Sequence, residues 1–371
     1  MALSLIPTNT KIDFIGLRRI CYVVSFLMLL VGAVSLIYKG GPQYGIDFAG
    51  GTVVQVKFAK PVADEAVKNA LATTDLPGVN AQIFGNPEDG QFLIRIASVD
   101  QDATAYRAKI LEAFQSKLPD NEVKIERVEA VGPKVGSDLR TGAINALYYA
   151  SLLIAIYISG RFEQRWLAAG VMAGALIVTL YVLSMAGVPQ MYLIVAATLI
   201  TLILCWKLKL VYALAAMISL IHDVLVTIGL LSILNIEIDL IIIAALLTVI
   251  GYSLNDTIIV FDRIRENLRK KTGLTFEKLI NNSVNQTLSR TILTSGTTIM
   301  VLLALFFLGG PIIHNFALTM LAGIVIGTYS SIFIASPILL AFGEPPSIDD
   351  DEEEEKRIKE IMKQSHDGAV V

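Results

Sequence analysis

Apolar positions along the chain gather into blocks of about 20, the length a helix needs to cross a hydrocarbon core about 30 Å thick. Eight such blocks occur, at residues 20–38, 141–159, 166–186, 190–206, 210–234, 240–262, 292–309 and 316–342. Only the first and second are separated by a long polar stretch. The pattern predicts a polytopic α-helical membrane protein with eight spans. Its parts are an amino-terminal segment (1–19), a first transmembrane helix (20–38), one extramembrane domain (40–139), a seven-helix membrane bundle (140–342) that includes the hairpin 166–206, and a polar tail (343–371). The first block is longer than the apolar region of a secretory signal and no A-x-A site follows it, so it is read as an uncleaved anchor.

Within residues 40–139 the period becomes that of a soluble α+β domain. TVVQVKF (52–58) alternates, residues 62–74 read as a helix, and VNAQIF (79–84) and QFLIRIA (91–97) are strand candidates. A second helix over 103–118 carries Tyr106, Ile110, Ala113, Phe114 and Leu118 on one stripe, and KIERVEAV (124–131) alternates again. The order β-α-β-β-α-β is that of a ferredoxin-like unit. GIDFAGG (45–51) is expected to form a turn and the first strand, with Gly50 and Gly51 permitting backbone conformations that other residues resist.

Composition agrees with a membrane protein, and charge adds direction. Of 371 residues, 54% are hydrophobic and 17% charged, against about 25% charged in a soluble domain. Lys and Arg collect at Lys11, Arg18 and Arg19, at Arg161 and Arg165, at Lys207 and Lys209, and from Arg263 to Lys278, whereas 187–189, 235–239 and 310–315 contain none. Basic loops are retained on the cytoplasmic side. Both termini are therefore expected in the cytoplasm and residues 40–139 outside it. Seven consecutive acids, Asp349 to Glu355, make the tail acidic, and it is expected to be solvated with a short helix over 352–363.

Cys21 and Cys205 stand apart, and the three histidines show no metal-ligand spacing, so no disulfide framework or metal centre is indicated. The chain contains no P-loop, no H-E-x-x-H and no G-x-S-x-G. An enzyme or a bound cofactor is not expected, and any work would draw on an ion gradient. An ionisable group costs at least about 2.5–3.5 kcal/mol at a helix centre in the bilayer. That cost singles out His222 and Asp223 in the fifth block, Asp256 beside Asn255 in the sixth, and Arg290 where the seventh begins. A carboxyl held in low dielectric can exchange a proton near neutral pH, which makes Asp256 the proton-linked candidate with Arg290 as its basic partner. Thr287, Thr291, Thr294 and Thr298 form a hydroxyl stripe beside Arg290. Two readings stand, a proton relay and a static buried pair. Adjacent helix residues project about 100° apart, so His222 and Asp223 are not expected to bond each other. Gly323, Gly327 and Ser331, at i, i+4 and i+8, would let a neighbouring helix approach closely.

GIDFAGG (45–51), VGPKVGSDLR (131–140), GYSLNDTIIVFDRIRENLR (251–269), LSRTILTSGTT (288–298) and GTYSSIFIASP (327–337), in this order, resemble the SecF family. That family is the smaller partner in the bacterial SecD/SecF complex and a relative of the resistance-nodulation-division exporters, and the resemblance spans about residues 14–342. It implies an accessory subunit of the Sec translocon whose outer domain touches the emerging chain and whose bundle joins SecD to form a proton path. SecYEG, YajC, unfolded preprotein and the lipid bilayer are the other implied partners; nucleic acid is not among them. On this resemblance Asp256 is the proton-linked carboxylate, Arg290 its basic partner, and His222 and Asp223 a family His-Asp pair. The family's R-F-E element, here Arg161, Phe162 and Glu163, runs almost directly into the helix bearing that pair, whereas here residues 166–206 intervene and make eight spans in place of six. Gly174 and Ala175 stand 48 positions before His222 and Asp223, so the added helices lack the pair and are expected at the bundle periphery. The competing classes are a small-solute exporter, which would carry larger outer domains and two repeats, and a passive translocon scaffold.

Overall fold

The computed structural model describes residues 10–85, 87–97, 103–163, 166–185, 188, 190–270 and 273–343. The acidic run and the short helix expected over 352–363 lie outside the described residues. Helix α1 (Arg18–Tyr38) leads to a single helical turn, α2 (Ile46–Ala49). Then follow β1 (Gly51–Phe58), α3 (Asp64–Leu71), β2 (Asn80–Ile83), β3 (Gln91–Ile96), α4 (Ala103–Lys117) and β4 (Val123–Val131). GIDFAGG forms a turn and the start of the first strand, as expected, and the turn is one of helix. Its backbone closes on itself, with Ala49 N donating to Gly45 O and Gly50 N to Ile46 O, both at 2.9 Å. The strand begins at Gly51, where φ is +117° and a Cβ would lie 2.7 Å from Ile96 O, so only glycine fits.

The four strands run in the order β2-β3-β1-β4, each antiparallel to its neighbours. Alternation places Val54, Val56, Phe58, Phe92, Ile94 and Ile96 on one face, where Val67 and Leu71 of α3 and Ile110 and Phe114 of α4 complete the core. Phe58 meets Phe114 edge-on at 5.0 Å. The opposite face, bearing Val53, Gln55, Leu93 and Arg95, looks across a cavity of about 850 Å³ toward the helix bundle.

The bundle contains α5 (Pro133–Glu163), α6 (Trp166–Met185), α7 (Gln190–Lys207), α8 (Val211–Ile233), α9 (Leu240–Arg269), α10 (Phe276–Leu308) and α11 (Gly310–Ser330). A π-helical turn (Ser331–Ala335) and α12 (Ser336–Phe342) complete the last crossing. Eight spans were expected. Among the described residues six helices are long and apolar enough to cross a membrane: α1, α5, α8, α9, α10 and the run Ile312–Phe342. The other two, α6 and α7, run for 20 and 18 residues, about 30 and 27 Å at 1.5 Å per residue, close to the length of a crossing. These two helices lie at the bundle's edge, as expected of added elements. Met172, Leu176 and Cys205 join the core beside Ala155, Ile158 and Leu210, while Leu167, Val171, Tyr192 and Leu199 face outward.

The basic stretch after residue 262, expected as a loop, is mostly helix. There α9 and α10 extend beyond their apolar blocks because their polar ends still pack. Ile264, Leu279, Ile280 and Val284 are buried, and Asn267 Nδ2 donates to Ser283 Oγ at 2.8 Å and to Gln286 Oε1 at 3.0 Å. The segment before α1 straps this hairpin through Phe14 N to Asn281 Oδ1 at 2.8 Å and an Arg18–Glu277 ion pair at 2.7 Å.

Candidate functional site

Helix α8 is enclosed by α1, α5, α9 and α11, so His222 and Asp223, near its middle, are only 6% and 1% exposed. Contrary to expectation, the two bond each other: His222 Nδ1 and Asp223 Oδ1 are 2.9 Å apart. Their side chains leave the helix about 100° apart, but both are short. The imidazole's near nitrogen and the carboxylate can each lean over the helix surface and meet. Asp223 Oδ2 accepts from Ser253 Oγ of α9 at 2.5 Å and from Ser330 Oγ of α11 at 2.7 Å. Ser219 Oγ then donates to Ser330 Oγ at 3.0 Å.

Ser253 and Asp256 are three residues apart on α9 and so share a face. Asp256 is fully buried. Its Oδ2 accepts from Ser295 Oγ of α10 at 3.1 Å and from Thr328 Oγ1 of α11 at 3.4 Å, and those two hydroxyls are 2.8 Å apart. The two carboxylates are thus held by one element in common. Helix α11 sends Thr328 to Asp256 and Ser330 to Asp223.

Two glycines permit this. A Cβ on Gly327 would lie 2.7 Å from the Ser253 Cβ, and Gly323 sits against the Val249 side chain, so α9 and α11 touch backbone to side chain. The glycine stripe expected to admit a close neighbour does so. Immediately beyond, the chain widens into the π-helical turn, a feature that often marks functional places in helices. Pro337, lacking an N–H, follows it, and Ser336 Oγ donates to Ser331 O at 2.8 Å across the turn.

The layer is incompletely satisfied. His222 Nε2, Asp256 Oδ1 and Thr291 Oγ1 are buried and have no hydrogen-bond partner among the described residues. Such an atom costs about 1–3 kcal/mol, so each is a place where a water would be held favourably. Among the described residues no group of three or more His, Cys, Asp or Glu side chains converges as a metal site requires.

The other expected residues are placed differently. Arg290 is exposed and, among the described residues, forms no ion pair with Asp256 within 4.0 Å. The static pair is therefore not formed. Asn255 is exposed, on another side of α9 from the cluster. Thr294 Oγ1 turns to its own helix, donating to Arg290 O and Thr291 O at 3.0 Å each, while Thr294 O accepts from the Tyr252 hydroxyl at 2.9 Å. Ser219, Ser253, Ser295, Thr328 and Ser330 were not singled out from sequence. All but Ser219 stand inside the quoted motifs, and a hydroxyl at helical spacing from a buried acid is the signal that points to them.

Comparison with known proteins places these residues in company. A model of the C-terminal part of the protein export membrane proteins SecD/SecF matches residues 110–203 and 182–345, and a model of the SecD/SecF GG motif matches residues 36–62. The protein translocase subunit SecF of Magnetococcus marinus is 42% identical over 334 residues, covering 89% of this chain and 92% of its own. That of Calditerrivibrio nitroreducens is 36% identical over 340 residues, covering 91% and 96%. The crystal structure of SecDF, a translocon-associated membrane protein from Thermus thermophilus, superposes with a TM-score of 0.67 at 29% identity and covers 91% of this chain. This chain spans 39% of that longer one.

Proposed function

This chain belongs to the SecD/SecF family of protein-export membrane proteins, as a SecF subunit of the Sec translocase, and on that premise we propose that it couples the proton gradient to late steps of preprotein export through Asp256. It is a multi-pass, non-enzymatic transport protein that works with SecD. The observation that carries the coupling is the state of Asp256: fully buried, one oxygen held by two hydroxyls, the other without a partner among the described residues.

Ionised, the carboxylate accepts from Ser295 and Thr328 and holds α10 and α11 against α9. Protonated at Oδ1, it loses its charge, and Oδ2 becomes a neutral carbonyl oxygen that holds the two hydroxyls more weakly. The bias between helix arrangements then changes. The energies match: a buried charge costs at least about 2.5–3.5 kcal/mol, and a charge crossing the membrane potential is worth about 2.3 kcal/mol per 100 mV. The gradient can therefore set the protonation state. Arg290, exposed beside the site, supplies the charge that draws the proton off again.

The basic loops put both termini in the cytoplasm and residues 40–139 in the periplasm, where the ferredoxin-like domain meets unfolded preprotein. SecYEG and YajC are the remaining partners of this reading. The α6–α7 hairpin contributes two further crossings, which leave the sidedness of every later helix unchanged.

The test is preprotein export in inverted vesicles holding this protein and its SecD, with and without an imposed proton gradient. Wild type should gain from the gradient and Asp256→Asn should not. A gradient response retained in Asp256→Asn would remove Asp256 from the coupling path.

A further inference from the structure

The GIDFAGG segment is the part of the chain for which the carboxylate site has no use, although a family model recognises it. The structure shows where it goes. Helices α8 and α9, which carry Asp223 and Asp256, are joined on the side of the α+β domain by residues 234–239. Tyr44 forms an isolated parallel β-bridge with Ile238. Gly45 N donates to Ile238 O at 2.8 Å and Ile238 N to Gln43 O at 2.7 Å. Gly45 can approach this closely because it lacks a side chain, since a Cβ there would lie 3.1 Å from the Asp239 Cβ.

Side chains lock the same place. Asp239 caps α9 by accepting from Ile242 N at 2.7 Å, and Leu240 N donates to Asp47 Oδ2 at 3.0 Å. From the sheet, Arg95 of β3 forms an ion pair with Glu237, to which Gln82 Nε2 of β2 also donates at 3.3 Å. The charged pair is about four-fifths buried, at 23% and 17% exposure. A small apolar core lies beneath, with Phe48, Ala143, Leu231, Ile238 and Ile242. Farther down, α1 is pinned to α8 where Gly32 and Gly229 meet backbone to backbone, and Lys39 Nζ donates to Ser232 O and to Asn235 Oδ1 at the tip.

The tip of the carboxylate-bearing hairpin is therefore spliced into the domain by main chain, by a cap and by one charged pair to the sheet. We propose that this splice, GIDFAGG with Glu237 and Arg95, is the rigid joint that delivers movement of the α8–α9 hairpin to the outer sheet. The proposal rests on the reading of Asp256 as the coupling carboxylate. A proton bound farther along the hairpin shifts a stiff lever whose end is held at the tip. The pair sets where that lever pushes, because Glu237 is the tip's only acid bonded to the sheet among the described residues. Arg95 and Glu237 are positioning residues and touch no proton.

Charge reversal tests this in the full chain with its SecD. Arg95→Glu and Glu237→Arg should each cut gradient-stimulated export about tenfold, since each sets two like charges facing one another in a largely buried place, while proton binding at Asp256, read from its carboxyl infrared band against pH, stays as in wild type. The double variant Arg95→Glu/Glu237→Arg should recover to within about threefold, as coupled charge pairs do. Single variants that keep the gradient response, or a folded double variant that does not recover, overturn the joint. If the reversals do not accumulate in the membrane, Glu237→Gln keeps the shape and removes the charge, and it must show the same loss of stimulation for the joint to stand. Asp256→Asn run alongside separates the two ideas. An Arg95 variant that responds beside a silent Asp256→Asn overturns the joint alone, whereas an Asp256→Asn that still responds overturns the carboxylate reading.

Discussion

At the scale of single residues, hydrophobicity marks which charges are out of place but not what they touch. Asp256, His222 and Asp223 were legible because a charge in an apolar block is improbable without a role. Their partners were not, because Ser253, Ser295, Thr328 and Ser330 are ordinary residues until packing turns them toward an acid. Asp239 shows the same division outside the spans. As the residue before an apolar block it is a natural helix cap, but only the fold reveals its burial beside Asp47, which pushes its carboxyl above the usual range. A raised value means that the folded state holds the proton more tightly than the unfolded one. Its contribution to stability is then greatest at acid pH and declines as pH rises through the interval between the unfolded and folded values. Asp239→Asn keeps the capping oxygen and removes the charge. Thermal melts in detergent should therefore show a flatter pH dependence above about pH 4 and a stability within about 1 kcal/mol of wild type. An unchanged slope would mean that another group sets it.

At the scale of elements, the periods of the sequence located almost every helix and strand, and the departures came where packing extended or interrupted them. Polar ends of α9 and α10 read as loop because periodicity weakens there, yet Asn267 and Ile264 still have partners across the hairpin. The π-helical turn was invisible, since one extra residue in a turn leaves no mark in an apolar run. The glycine stripe of α11 was legible, and its consequence can be measured. Gly327→Leu must push Ser253 away, and overpacking of this kind costs about 1–3 kcal/mol. It should also draw Thr328 and Ser330 from their carboxylates and abolish the gradient response. By contrast, a Cβ added at Gly296 in α10 would meet nothing within 4 Å, so Gly296→Ala should stay within about 1 kcal/mol of wild type. Denaturant unfolding in micelles compares the two. Equal stability of both variants would show that α9 and α11 can separate without cost.

At the scale of the whole molecule, the α+β domain and the bundle have separate cores joined by a small further one. Separate cores open separately. Phe114→Ala, which removes the ring beneath Phe58, should cost the domain about 3–5 kcal/mol. Limited proteolysis should then cut within residues 51–131 while the bundle keeps its resistance; cleavage spread evenly through the chain would mean that the two melt as one. The sequence by itself determined the membrane blocks, the expected sidedness, the order of elements in the domain and the acids worth watching. Each of those follows from local hydrophobicity, charge or period, which neighbouring residues carry without help. Only the tertiary structure decided that α6 and α7 lie at the edge, that His222 and Asp223 bond, that Arg290 stands off from Asp256, and that Arg95 reaches Glu237. Those contacts join residues far apart along the chain, or depend on how side chains lean once their helices are enclosed. Their geometry is set by crossing angles and close approaches that no local pattern encodes.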